Sequence, residues 1–505
     1  MIAPWLILFL AFAGAEPAKN PWADKLPDIV HEAEFKPTAE SVAAALETAW
    51  KADAPHALGT VPAIAALKFA DDPRITAMRL RWLWRCGRIG EAEQLATKIA
   101  ADSTDPVALS TLIAIEMARG NNELALKLAD RLITCKDASA AQQFAALSAH
   151  MLHDRFDGFA KRIRECARGI SADNGYPDAY LLESIGGLPE FFDAIGTQPV
   201  NQIRKHGSAP MPLMAIASLP AVDVFINGKG PYRFIVDTGG SIVLSINQAI
   251  ADELKIKSLG TATVRGVSGS QESHQALIDE LSIGDIEMKR VVTRSFVMPP
   301  PMDALLDGII GTGIFGKARM TLDFQHGKLH ILPSTDQPPT AGDEHQTRII
   351  GDAKILVPVT AQREKTLALI DSGAEAVATS PRKLKEWFPN REVTPLPSVG
   401  GMGVGEGGTA GMNLVPGITL EIFGRTKENV GGLGLEVLDS VFAPILGMDV
   451  PVLVGMPILR ETNSFTVDYP RCQVWVEWIK PAGRSERDAQ ASDRERSERE
   501  TEPRP

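Results

Sequence analysis

The sequence predicts a multidomain α and β chain: an N-terminal α-helical repeat domain followed by a bilobal, all-β domain. Three observations carry this expectation. Residues 38–195 are rich in Ala and Leu at helical spacing. From about 210 to 480 the chain turns to short Val, Ile and Thr runs punctuated by Gly and Pro. Within that second region one order of features occurs twice, once in 210–340 and once in 345–480. A length of 505 residues accommodates two or three domains of this kind.

The elements follow in chain order. Residues 1–15 read as a signal peptide, with an apolar stretch from Trp5 to Leu10 and a small-x-small site at Ala13-Gly14-Ala15. No Lys or Arg precedes the apolar stretch. That stretch is too short to span a bilayer, so the expected location is exported, periplasmic or extracellular, with no membrane attachment after cleavage. The net charge of −11 argues against a nucleic-acid partner. The four cysteines, Cys86, Cys135, Cys166 and Cys472, match no zinc spacing and are expected as small buried thiols. Residues 483–505 are dominated by Ser, Arg, Glu and Asp and are expected to be a disordered tail.

Inside the helical region, Gly87-Arg-Ile-Gly-Glu-Ala92 recurs as Gly120-Asn-Asn-Glu-Leu-Ala125, and more weakly as Asp154-Arg-Phe-Asp-Gly-Phe159. The spacings are 33 and 34 residues. A helix-turn-helix unit of that period resembles the tetratricopeptide repeat, with Pro106 closing the first unit. The resemblance implies a concave surface for a protein partner. His150 and His153 share a helix face, but no third ligand is near in sequence, so no metal site is expected.

The β-rich repeat aligns on two acidic turns. Phe234-Ile-Val-Asp237-Thr-Gly-Gly-Ser241 matches Ala368-Leu-Ile-Asp371-Ser-Gly-Ala-Glu375. Each turn follows a strand–turn–strand pattern. Eight residues after each Asp stands a hydroxyl residue, Ser245 or Thr379. A short helical stretch comes next, then a Gly-rich tip around Gly266 or Gly401, then an apolar-apolar-Gly run at Ile309-Ile310-Gly311 or Leu453-Val454-Gly455. Both halves end in paired strands.

These residue types suit the hydrolysis of peptide bonds. Two adjacent carboxylates cannot both ionise comfortably, so they share a proton and can hold a water between them. One then serves as base for the water and the other donates to the substrate carbonyl, the pair titrating as a unit. Asp237 and Asp371 are the candidate catalytic residues. Thr238 and Ser372 offer hydroxyls that can bond across the lobes, and Gly239 and Gly373 permit close backbone approach. No cofactor is expected, since the dyad activates its own water, and no metal ligand set is assigned.

At these residues the chain resembles the retropepsin-like and pepsin-like aspartic peptidases, arranged as a bacterial-type tandem of two lobes on one chain. The resemblance spans roughly residues 215–478. It implies aspartic-type endopeptidase activity on extended peptide or protein substrates, with flaps that include Gly266, Val267, Ser268 and Gly269 in one half and Gly401, Met402 and Gly403 in the other. Gly240 and Glu375 depart from the family's pattern. The alternative is a non-catalytic peptide-binding or scaffold protein built on the same lobes and repeats. Gly403-Val-Gly-Glu-Gly-Gly408 formally matches a dinucleotide loop, yet it lacks the preceding strand and following helix that such a site needs.

Overall fold

The computed structural model describes residues 20–99, 103–171, 174–175, 187–215, 217–266, 269–300, 302–335, 337–351, 353–390, 394–395, 412–435, 438 and 447–480. The expected signal peptide at 1–15, the expected tail at 483–505, and Val267, Ser268, Gly401, Met402 and Gly403 lie outside the described residues.

Helices come first and the β-rich region follows, as the sequence predicts. The helices before the β-rich region include α1 (Pro21–Phe35), α2 (Ala39–Lys51), α3 (Val61–Lys68), α4 (Pro73–Arg85), α5 (Ile89–Ala96), α6 (Pro106–Ala118), α7 (Asn122–Thr134), α8 (Ala140–Leu152), α9 (Phe159–Gly169) and a last one at Leu188–Ile195 that carries Phe191 and Phe192. The helical part therefore starts at 21, earlier than the Ala/Leu pattern from 38 suggests. Asn20 caps α1 by accepting from the Trp22 amide, and Leu26, Val30 and Ala33 bury one face although Pro27 interrupts the pattern.

Three helical hairpins repeat in register, opening at Pro73, Pro106 and Ala140. Pro106 opens the second hairpin and does not close the first, because a ring at the first helical position displaces an amide that lacks a helical partner in any case. Asp72 and Asp105 cap the first two hairpins with side-chain bonds to two amides each, and Ser139 caps the third. The turn residues Gly87, Gly120 and Asp154 all take left-handed backbone, with φ of 68°, 79° and 54°. Ala92 and Ala125 are fully buried between the paired helices.

Among the described residues the β-rich region has three sheets. The first lobe is an eight-stranded sheet in which Ile286–Phe296 also pairs with Gly269–Ile283. The second lobe is an eight-stranded sheet in which Lys354–Ala361 also pairs with Met412–Ile422. A six-stranded sheet joins the lobes, its centre formed by Ala318–Asp323 from one half and Thr462–Asp468 from the other, antiparallel. Thr321 pairs with its counterpart Thr466, and their hydroxyls lie 2.9 Å apart. The pseudo-twofold axis of the duplication passes through this pair. Beside it, buried Arg319 binds buried Asp468 with Nη2 at 2.9 Å.

The helices pack against both lobes. Leu80, Leu83 and Leu112 share one core with Leu356, Leu369 and Leu453 of the second lobe. Phe159, Phe191 and Phe192 share another with Val292 of the first. All three hairpin turns meet the β-rich region: Gly87 abuts the Asp449 carbonyl, Gly120 abuts Cys472, and Asp154 pairs with Lys317. The turn edge of the repeats is thus occupied by the chain's own lobes.

The thiols depart from expectation. Only Cys166 is buried, while Cys86, Cys135 and Cys472 are half-buried. Cys86 and Cys135 cap the ends of α4 and α7, and Cys472 sits in a turn with φ of 50°, so each lies where an element ends, with Cys135 still packed against the core shared with the second lobe. His150 packs inside the helical region, 3.2 Å from Asp130.

Candidate active site

Asp237 ends the strand Lys229–Asp237, and Asp371 directly follows Glu364–Ile370. Both strands approach their turns through buried apolar residues, Phe234 to Val236 and Leu367 to Ile370, so each Asp arrives in the interior. The apolar-apolar-Gly run lies alongside in parallel: Gly308–Gly311 pairs with the first strand and Val452–Val454 with the second. Leu244–Asn247 and Val377–Thr379 then pair antiparallel on its far side. Each acidic turn therefore crosses over a central brace. A Cβ on Gly311 would lie 1.9 Å from the Ser241 carbonyl oxygen, and one on Gly455 would lie 2.2 Å from that of Ala374. Only glycine lets the crossing chain come so near.

The two turns interlock. The Thr238 amide donates to Ser372 Oγ at 3.0 Å, and the Ser372 amide donates to Thr238 Oγ1 at 2.9 Å. Each hydroxyl then donates to the opposite strand, Thr238 Oγ1 to the Ile370 carbonyl at 2.8 Å and Ser372 Oγ to the Val236 carbonyl at 2.7 Å. Both side chains are wholly buried. This reciprocal arrangement satisfies the amide and the hydroxyl of both residues. It also sets the carboxylates face to face. A Cβ on Gly239 would lie 2.4 Å from Asp371 Cγ, and one on Gly373 would lie 2.7 Å from Asp237 Cγ. The Gly373 amide donates to Asp371 Oδ1 at 2.9 Å.

Electrostatics follow from burial and proximity. Asp237 and Asp371 are 2% and 5% exposed. Burial raises both carboxyls above the usual range, and the Asp237 charge pushes Asp371 well above it. The arrangement can hold one proton between two acids and present an acid and a base to a single bound molecule.

The remaining sequence-selected residues separate. Ser245 accepts from Arg294 at 2.9 Å and Thr379 donates to the Pro451 carbonyl at 2.8 Å, so these hydroxyls tie neighbouring strands and not the dyad. Gly266 pairs with Gly269 at the tip of a hairpin on the outer edge of the first sheet. A Cβ on Gly240 would stand 2.8 Å from Gly311 Cα, which accounts for the missing methyl at this point of the turn. Glu375 is half-buried, and burial pushes its carboxyl up to about 7 against the opposing pull of Arg460. The charges that act most strongly on Asp371 are those of Asp237 and Lys354.

Two residues near the dyad escaped the sequence reading. Lys354, 4% exposed, donates from Nζ to the Gly240 carbonyl. Tyr469 donates its hydroxyl to Thr312 Oγ1 at 2.6 Å, directly after the brace glycine, and burial holds its phenol protonated. Both reach from the second half to the first. Lys354 opens an apolar strand, Lys354-Ile-Leu-Val, where the first half has Leu219, and this mismatch between aligned halves is the signal that could have found it.

Residues 222–314, within the first lobe and including Asp237, match the model of the aspartyl protease family. Among solved structures, a retropepsin-like aspartic protease from Rickettsia conorii is similar at 16% identity, over 25% of this chain and 90% of that one, with a TM-score of 0.18. A search of curated proteins found no significant match.

Proposed function

We propose that the protein is an aspartic endopeptidase in which Asp237 and Asp371 share one proton and activate a water. The observation that carries this reading is the reciprocal interlock of Thr238 and Ser372, which holds two buried carboxyls together at the junction of the lobes. In the reaction the ionised member takes a proton from the water as its oxygen attacks the scissile carbonyl carbon. The protonated member donates to the carbonyl oxygen. Collapse of the resulting diol breaks the C–N bond as the leaving nitrogen receives a proton from the protonated member and the ionised member takes a diol hydroxyl proton, which restores the singly protonated pair. An extended peptide would lie between the lobes, its backbone pairing with hairpin edges such as the one carrying Gly266 and Gly269. The apolar stretch and small-x-small site at the N-terminus support an exported enzyme, which proteolysis of exported substrates would suit.

The test is cleavage of a mixed peptide library between pH 3 and 8 by the wild type, Asp237→Asn and Asp371→Asn. Each substitution is expected to lower kcat/KM at least about a hundredfold, the scale of a lost general acid or base. A wild type that cleaves nothing would instead support the non-catalytic peptide-binding reading, and variants that cleave as well as the wild type would overturn the dyad as the source of cleavage.

A further inference from the structure

The pseudo-twofold symmetry of the site is broken at one buried charge. Pairing of Ala221 with Ile235 and of Leu356 with Leu369 fixes the correspondence of the halves, because Ile235 and Leu369 each lie two residues before their Asp. In that register Lys354 corresponds to Leu219, which is wholly buried. The second lobe thus carries an ammonium where the first carries an isobutyl group. The turn carbonyls differ in the same sense. Ala374 accepts from the backbone amide of Met456 at 2.8 Å, whereas its counterpart Gly240 accepts from Lys354 Nζ. Burial of a Lys is costly unless anions compensate it. Among the described residues, Lys354 and Tyr469 interact electrostatically with the dyad and Glu375 lies farther along the second turn, while Lys229, Tyr232, Arg233, Glu364 and Lys365 sit on the two dyad strands. Tyr469 stays neutral, and Glu375 answers chiefly to burial and to Arg460. Among these groups Lys354 is the cation that acts on both Asp237 and Asp371.

We propose that Lys354 is a positioning residue of the dyad: an ammonium delivered by the second lobe to the back of the first lobe's turn, where it holds the Gly240 carbonyl and favours the singly charged state of the carboxyl pair. The idea rests on the hydrolase reading for its consequence in catalysis, but its electrostatic content stands apart from cleavage. Buried carboxyls repel the second negative charge and resist even the first. A fixed cation beside them eases both ionisations, so the window of the shared-proton state moves toward lower pH. Loss of the charge moves both edges of that window upward.

The experiment uses the full chain labelled with γ-13C aspartate. The two dyad signals are assigned by their loss in Asp237→Asn and Asp371→Asn, then titrated by NMR from pH 3 to 9. Lys354→Met and Lys354→Gln remove the charge, the second keeping an amide donor should the first fail to fold. Lys354→Arg retains the charge. The neutral variants are expected to shift both titration steps upward by about one pH unit or more, the scale of one close opposite charge, while Lys354→Arg keeps the wild-type curve. The pH profile of kcat/KM on a peptide cleaved by the wild type is expected to move in parallel. An unmoved titration in a folded neutral variant, or an equal shift in Lys354→Arg, overturns the inference whether or not the protein cleaves peptides. A shifted titration in a chain that cleaves nothing upholds the inference and refutes the hydrolase reading.

Discussion

Asp371 shows how one side chain can oppose the stability of the fold that holds it. Its carboxyl titrates above its unfolded value because burial and the Asp237 charge disfavour ionisation. A raised value means that its contribution to stability is complete below the unfolded pKa, about 4, and is lost as pH climbs toward the folded value. Asp371→Asn cannot ionise. It is expected to match the wild-type Tm at pH 4 and to exceed it at pH 7, measured by differential scanning calorimetry, and an equal or lower Tm at pH 7 would contradict this account. Thr238 acts in the opposite sense. Thr238→Val leaves the buried Ser372 amide without its acceptor and the Ile370 carbonyl without its donor. The expected cost in urea unfolding is about 1–3 kcal/mol for each orphaned group. Adding Ser372→Ala should cost less than the sum of the singles, since both belong to one network.

The helical hairpins are an element in which turn chemistry and docking can be separated. Gly87 and Gly158 have nearly the same left-handed backbone, φ of 68° and 62°. A Cβ on Gly158 meets nothing within 4 Å, whereas one on Gly87 would stand 2.5 Å from the Asp449 carbonyl oxygen. Gly158→Ala is expected to cost only the conformational term, about 1–2 kcal/mol. Gly87→Ala adds a collision with backbone and should cost distinctly more in the same denaturation experiment. Equal costs would mean that this turn yields easily against the second lobe.

Across the whole molecule, the helices complete the lobes. Residues of α4–α8 share one hydrophobic core with the second sheet, and Arg85 anchors this junction by binding Asp53 at 2.7 Å and Asp449 as well. Arg85→Met would leave Asp53 without its cation, while Asp449 keeps Arg382 and His56, so the loss is expected at or below the low end of about 3–5 kcal/mol for a broken buried pair. With cores continuous across the junction, the helical and β-rich regions are expected to unfold in one calorimetric transition. Two separated transitions would show that the helices are an independent module. The packed turns also bear on partner recruitment. A protein partner of the helical region would have to use faces other than the edge formed by Gly87, Gly120 and Asp154, because that edge already meets Asp449, Cys472 and Lys317.

Much of this architecture is legible in the chain itself. The recurrence from Gly87 to Gly120 to Asp154 marks three turns that all adopt left-handed backbone, because such turns demand particular residues at a fixed helical period. The duplicated order around Asp237 and Asp371 marks the strands and the braces between them, because alternation and glycine placement are local properties. Other features were open to misreading for the same reason: Pro106 reads as an ending but serves as a beginning, and half-buried Cys86 reads as core. What only the tertiary structure decided is what meets across long separations. Lys354 and Gly240 are 114 residues apart, and Arg85 and Asp449 are 364 apart. No local period encodes such pairs. They depend on how two lobes close and where helices dock, and they decide whether a charge is solvated on a strand end or buried behind a pair of acids.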